Sequence, residues 1–128
     1  MKRIIKYWGP LVLYLAFIVW GSLTPMPEEL PEIWEIDKVY HLGAYAIMGG
    51  LWVRAMRGGE GIKSSRAVLL AGSFAFLFGA AIEVLQSFVP ERNSDIIDGM
   101  VNGAGGIIGA IIFNRFLSFM GQSSRRRI

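Results

Sequence analysis

Long apolar runs alternate with short polar stretches four times along the chain. The first run, 8–24, carries no charge, has aromatics at Trp8, Tyr14 and Trp20, and is stopped by Thr24-Pro25-Met26-Pro27. The second, 38–57, holds Lys38, His41 and Tyr45 near its start and Arg54 and Arg57 at its end. The third, 67–89, contains Glu83 and Gln86 and is followed by Pro90. The fourth, 96–120, contains Asp98 and Asn102. A helix needs about 20 mostly apolar residues to cross the hydrocarbon core of a bilayer. The pattern therefore predicts an all-α polytopic membrane protein, with four transmembrane helices in one compact bundle and residues 1–128 as a single domain.

Composition sharpens this reading. Hydrophobic residues make up 53% of the chain and charged residues 18%, with a mean hydropathy of +0.45. A soluble domain uses about 25% charged residues. The absence of cysteine excludes disulfides, thiolate metal sites and a cysteine nucleophile. Lys2, Arg3 and Lys6 precede the first run, but no small-x-small cleavage site follows it, so it reads as a retained span.

Eleven of the 13 Lys and Arg fall on one side of the predicted membrane: Lys2, Arg3, Lys6, Arg54, Arg57, Lys63, Arg66, Arg115 and Arg125–Arg127. The other side has Lys38 and Arg92 among Glu28, Glu29, Glu32, Glu35, Asp37, Glu91 and Asp95. The positive-inside rule then places both termini in the cytoplasm, with 25–37 and 90–95 as outward loops of a protein of the bacterial cytoplasmic membrane. The arginine run 125–127 reads as a charge held at lipid headgroups, and no nucleic-acid partner is expected. Residues 58–65 read as a flexible cytoplasmic loop, and the outer loop is expected to hold a short interfacial helix around Ile33-Trp34.

Small residues mark the helix contacts. Ala71, Ala75 and Gly79 recur every fourth residue. Gly99/Gly103 and Gly105/Gly109 form two GxxxG pairs, and Gly43, Gly49 and Gly50 lie in the second run. Such spacing lets backbones approach closely. In a chain with several spans it points to internal packing before it points to a homodimer, and the oligomeric state stays open.

The polar residues inside the spans gather at one end. Asp37, His41 and Tyr45 share a helix face by their spacing of four; Glu83, Gln86 and Ser87 share a second, and Asp95, Asp98 and Asn102 a third. With a rise of 1.5 Å per residue, Glu83 and Asn102 lie roughly 10 Å below the outward surface. The inner halves carry nothing comparable in this reading. Ionisable side chains in hydrocarbon are costly and face each other or a polar cavity. An outward-opening polar pocket is expected. Its acids outnumber its bases even with His41 protonated, so either one carboxyl, with Glu83 the deepest, holds a proton or the site receives a cation.

The residue types allow several chemistries. His41 with Asp37, or Glu83, could act as acid or base, although a helix-capping aspartate and a hydrogen-bonded core histidine explain the first pair as simply. Lys38, His41 and Arg92 could bind an anion; Arg92 could equally bridge to Asp95 or Glu83. Asn102 and Gln86 could be interhelical clamps, and Tyr45 and Trp52 packing residues. His41, Glu83 and Asp98 are chemically possible metal ligands, but no HExxH or paired-histidine spacing is present, so no metal and no cofactor is expected.

The run Asp37-Lys38-x2-His41-x3-Tyr45, with Glu83-x2-Gln86-x-Phe88-x-Pro90-x-Arg92 and Asp98-x3-Asn102-x2-Gly105-x3-Gly109, resembles the VanZ-like family. Glu91 stands where many members are expected to have glycine. The resemblance implies a small bacterial integral membrane protein. The family is named for an accessory factor of glycopeptide resistance associated with teicoplanin-type lipoglycopeptides. It also implies that Asp37, Lys38, His41, Glu83, Gln86, Arg92, Asp98 and Asn102 form one site, and it supplies no reaction. The expectation is a site, including Tyr45 and Asp95, that binds an amphiphilic cell-envelope molecule in contact with membrane lipids. The alternative is an intramembrane enzyme acting on a lipid or lipid-linked headgroup. A channel or carrier is disfavoured, because no polar path continues inward.

Overall fold

The computed structural model describes residues 1–25, 34–90, 92 and 94–126, with side chains except those of 34–37. The side chain of Asp37, Glu91, Arg127 and most of the outer loop lie outside the described residues. The fold is all-α, with no strand among the described residues: α1 (Lys2–Leu23), α2 (Trp34–Arg54), α3 (Ser64–Gln86) and α4 (Ile96–Arg126). Three of them, α1, α3 and α4, are long and apolar enough to cross a membrane. α2 falls short of that measure, because Glu35, Asp37, Lys38 and His41 occupy its first turns.

The centre of the bundle is built from small residues. Glycine at 49, 105 and 109 is required sterically: a Cβ at Gly49 would run into the carbonyl of Gly106, at Gly105 into that of Leu42, and at Gly109 into that of Ala46. Leu42, Ala46 and Gly50 meet Gly105, Gly109 and Phe113 in order, so α2 and α4 run parallel, almost backbone to backbone. α3 runs antiparallel to them and packs mainly on α4, with Gly72 on Ile107, Ala75 on Gly106, Phe76 on Gly103 and Gly79 on Asn102. Dispersion and close approach hold such contacts, since lipid is as apolar as the helix surface. Large side chains such as Val12, Leu13, Leu69, Leu77, Ile112 and Phe119 point outward. Gly43, by contrast, has open space where its side chain would be and takes no part in the packing.

α1 lies at the periphery and docks through Leu11 and Ile18. Trp8 meets Trp52 edge-on at 5.5 Å, and Tyr14 Oη donates to the Ala44 carbonyl at 2.8 Å. Pro10 lies inside α1 and has no N–H, so the Lys6 carbonyl lacks its helical donor. Arg54 Nη1 supplies one instead, at 3.0 Å. Nor is the turn between α2 and α3 a free loop. It continues α2 as a π-helical segment, Ala55–Gly59, then reverses at Gly61 with φ of 68°. Gly58 and Gly59 lie against Tyr7 and Trp8, Arg3 donates to the Gly58 carbonyl, and Trp8 Nε1 donates to Glu60. α3 ends at Gln86, before Pro90, where Ser87 Oγ turns back to the Val84 carbonyl at 2.6 Å.

Two alanine substitutions separate these roles. Gly109→Ala drives a methyl into the α2 backbone and is expected to cost about 3 kcal/mol or more. Gly43→Ala meets nothing and gains helix propensity, up to about 1 kcal/mol. Thermal unfolding in detergent should move in opposite directions for the two; equal shifts would refute this account of the α2/α4 contact.

Candidate functional site

The parallel register of α2 and α4 brings their first turns to one level, and the antiparallel α3 delivers its last turn there. Lys38, at the start of α2, donates to Asp98 Oδ1 and lies 3.5 Å from Asp95 Oδ2. One turn deeper, His41 Nδ1 is 2.8 Å from Asn102 Oδ1. Asn102 is fully buried because Gly79 opposite it has no side chain: a Cβ there would lie 2.8 Å from Asn102 Cβ.

Asp95 starts α4. Its Oδ1 accepts the Ile97 N–H at 2.9 Å, the standard use of an aspartate at a helix N-cap. Its own N–H donates to Glu83 Oε2 at 3.2 Å, so the end of α3 and the start of α4 are tied through one carboxylate. Glu83 is buried to 8% exposure. Gly99 faces its Cγ, which leaves room for the side chain to lie along α4.

Lys38, His41, Glu83, Asp95, Asp98 and Asn102 thus occupy one layer, and Tyr45, buried beside Gly79, closes its inner side. Three buried polar atoms of this layer have no hydrogen-bond partner among the described residues: Tyr45 Oη, Glu83 Oε1 and Asn102 Nδ2. Such groups are seldom left unpaired, since each costs about 1–3 kcal/mol. The contact with Asn102 fixes the plane and direction of the His41 ring within the layer. Among the described residues no three His, Asp or Glu side chains converge as metal ligands.

Gln86 and Arg92 are turned elsewhere. Gln86 Nε2 donates to the Ser22 carbonyl at 2.9 Å. Arg92 donates to the Gly21 carbonyl at 2.7 Å and the Thr24 carbonyl at 2.9 Å. Both cap the open carbonyls at the end of α1 and lash it to the α3–α4 turn. Arg92 makes no salt bridge to Asp95 or Glu83 among the described residues.

The inner half is not devoid of polar structure either. Arg57 Nη1 donates to Asn114 Oδ1 at 2.9 Å, to the Asn114 carbonyl at 3.1 Å and to Ser118 Oγ at 3.3 Å. Ser64 Oγ donates to the same Asn114 Oδ1 at 2.6 Å. The sequence signal for this network is Asn114 inside the apolar fourth run, since an amide there needs a hydrogen-bond partner.

These features define a class: an all-α protein with helices suited to a membrane, an apolar exterior and a buried polar layer at one end. The chain belongs to the VanZ/LLP1 family, whose model matches residues 11–118. That span runs from the docking face of α1 to Ser118 and takes in every described residue of the layer. No curated protein and no solved structure matches the chain.

The ion pair gives a stability test. Lys38→Met leaves Asp98 buried without its cation and is expected to cost about 3 kcal/mol. Adding Asp98→Asn removes the stranded charge and should recover more than half of that loss. A double variant as unstable as the sum of the singles would show that Lys38 and Asp98 do not act as a pair.

Proposed function

We propose that the protein spans the bacterial cytoplasmic membrane four times, with both termini cytoplasmic, and binds an amphiphilic cell-envelope molecule through the polar layer. α2 then crosses with Lys38 and His41 paired to Asp98 and Asn102 of α4. A lipoglycopeptide, or a lipid-linked wall precursor, has the required character: an acyl chain for the helix surface and a polar head for the layer. The carrying observation is the trio of buried atoms with no partner among the described residues, Tyr45 Oη, Glu83 Oε1 and Asn102 Nδ2. Together they offer an anionic acceptor, an amide donor and a hydroxyl, a set that suits a head bearing hydroxyl, amide or ammonium groups.

The His41–Asn102 bond favours one further reading, an intramembrane enzyme. There His41 would be the acid–base group, its ring oriented by Asn102. Asp37 and Glu83 are the other acid–base candidates, and Lys38 with Arg92 the candidates for holding an anionic headgroup. Transport has less support. Between the layer and the Arg57 network the seam is filled by Met48, Ala71, Ala75, Gly106 and Ala110, all buried and apolar.

Native mass spectrometry of protein gently extracted from its own membrane tests the binding reading. Wild type should carry an amphiphile that Glu83→Gln loses by about tenfold or more, the value of one charge-assisted hydrogen bond, with unchanged unfolding temperature. Equal retention by both, or no amphiphile beyond bulk lipid on wild type, would end the proposal. His41→Ala decides the second reading: an enzyme variant accumulates bound, unconverted ligand where wild type releases product.

A further inference from the structure

A second site is built at the opposite, basic end of the bundle. Beside the α3/α4 seam runs a groove of about 640 Å³, lined by Val68, Leu69, Gly72, Phe76, Leu77 and Ile107, with Ser65 at its basic end. Its floor is the Gly72–Ile107 contact, where a Cβ on the glycine would come within 2.8 Å of Ile107 Cγ1. Asn114 and Ser118 stand seven and eleven residues beyond Ile107, two and three turns further along the same face of α4. Arg57 is bonded to both of them, and Ser64, next to Ser65 of the groove, is bonded to the same Asn114, so the guanidinium lies beyond the basic end of the groove, about 10 Å along α4 from Ile107.

Among the described residues the bonds of Arg57 run through Nη1 and go to neutral oxygens. No carboxylate bridges it among the described residues. The one acid on this side of the chain, Glu60, accepts from Trp8. A guanidinium has five N–H donors and binds phosphate with two of them in parallel. Arg57 therefore has its Nη1 fixed by Asn114 and retains Nε and Nη2 for an anion. Lys63, Arg66 and Arg115 are exposed around this end and add to its positive field. Arg66 lies on the same face of α3 as Leu69, Ser73 and Leu77 of the groove, by spacings of three, seven and eleven.

We propose that this end of the α3/α4 seam is a phospholipid site, in which Arg57 holds the phosphate and the groove holds an acyl chain. Charge complementarity selects the occupant: an apolar groove with an arginine beyond its end, bridged by no carboxylate among the described residues, matches a chain joined to a phosphate. With the termini cytoplasmic, the lipid comes from the inner leaflet, where basic clusters beside spans attract anionic headgroups. The site shares no residue with the polar layer, so it stands or fails separately from the ligand proposed there.

The test is native mass spectrometry of the delipidated full chain in detergent, titrated with dioleoylphosphatidylglycerol, with dioleoylglycerol, and with millimolar inorganic phosphate. Phosphatidylglycerol should bind at least about fivefold better than dioleoylglycerol, given about 1 kcal/mol for one basic residue near a headgroup. Arg57→Gln should remove that preference while keeping amide donors for Asn114. Ser73→Trp, which fills the groove and leaves the Arg57 network intact, should weaken phosphatidylglycerol binding to a similar extent even if Arg57→Gln folds poorly. Arg115→Gln, which removes an exposed charge of the same end, should retain the preference. Equal binding of both lipids, full competition by inorganic phosphate, an unaffected Ser73→Trp, or a loss in Arg115→Gln equal to that in Arg57→Gln would each overturn the proposal.

Discussion

The close approach of α2 and α4 is the constraint on which the rest depends. Helix pairs usually stand 8–10 Å apart, held off by their side chains. Here Gly49, Gly105 and Gly109 remove those side chains, and each faces a carbonyl of the partner helix. Contact at this distance leaves little freedom to slide, because a shift of one residue would bring a Cβ against backbone. The register Leu42–Gly105, Ala46–Gly109 is thereby locked, and it is this register that sets Lys38 beside Asp98 and His41 beside Asn102.

A chain this small has little interior, and much of it is spent on polar groups. Asn102, Asp98, Glu83 and Gln86 are all buried while phenylalanines and isoleucines face outward. In water this arrangement would be inside out. In lipid it is consistent, because the exterior needs no polar surface, and the interior is the one place where polar groups can find partners. Most do find them; the atoms of the layer without a partner among the described residues cluster around Gly79 and Gly99 on α3 and α4, where small residues admit large polar ones.

The bundle has two polar ends separated by a tight apolar waist. At the acidic end, carboxylates hold one lysine and the start of α4. At the basic end, arginines bind carbonyls and amides: Arg3 on Gly58, Arg54 on Lys6 and Arg57 on Asn114. α1 is fastened at both, by Arg92 and Gln86 at one and by Arg54 and Arg3 at the other, which explains how a helix with so few buried residues keeps its place.

Much of this was legible in the residues alone. Helices arise from the apolar runs, and the charge asymmetry and the spacing of His41, Tyr45, Glu83, Asp98 and Asn102 show which faces and which end are polar. These are local properties, carried by helical periodicity and by the side chains themselves, and all of these residues fall within the span that the family model matches. The pairings were not legible. Arg92 reaches the carbonyls of Gly21 and Thr24 at the end of α1, across 71 and 68 residues of chain. A carbonyl is present at every residue, so no pattern of side chains announces which one will be left open at a helix end. Only the packed structure decides that, because helix register and the steric demands of a few glycines determine which open carbonyl meets which donor.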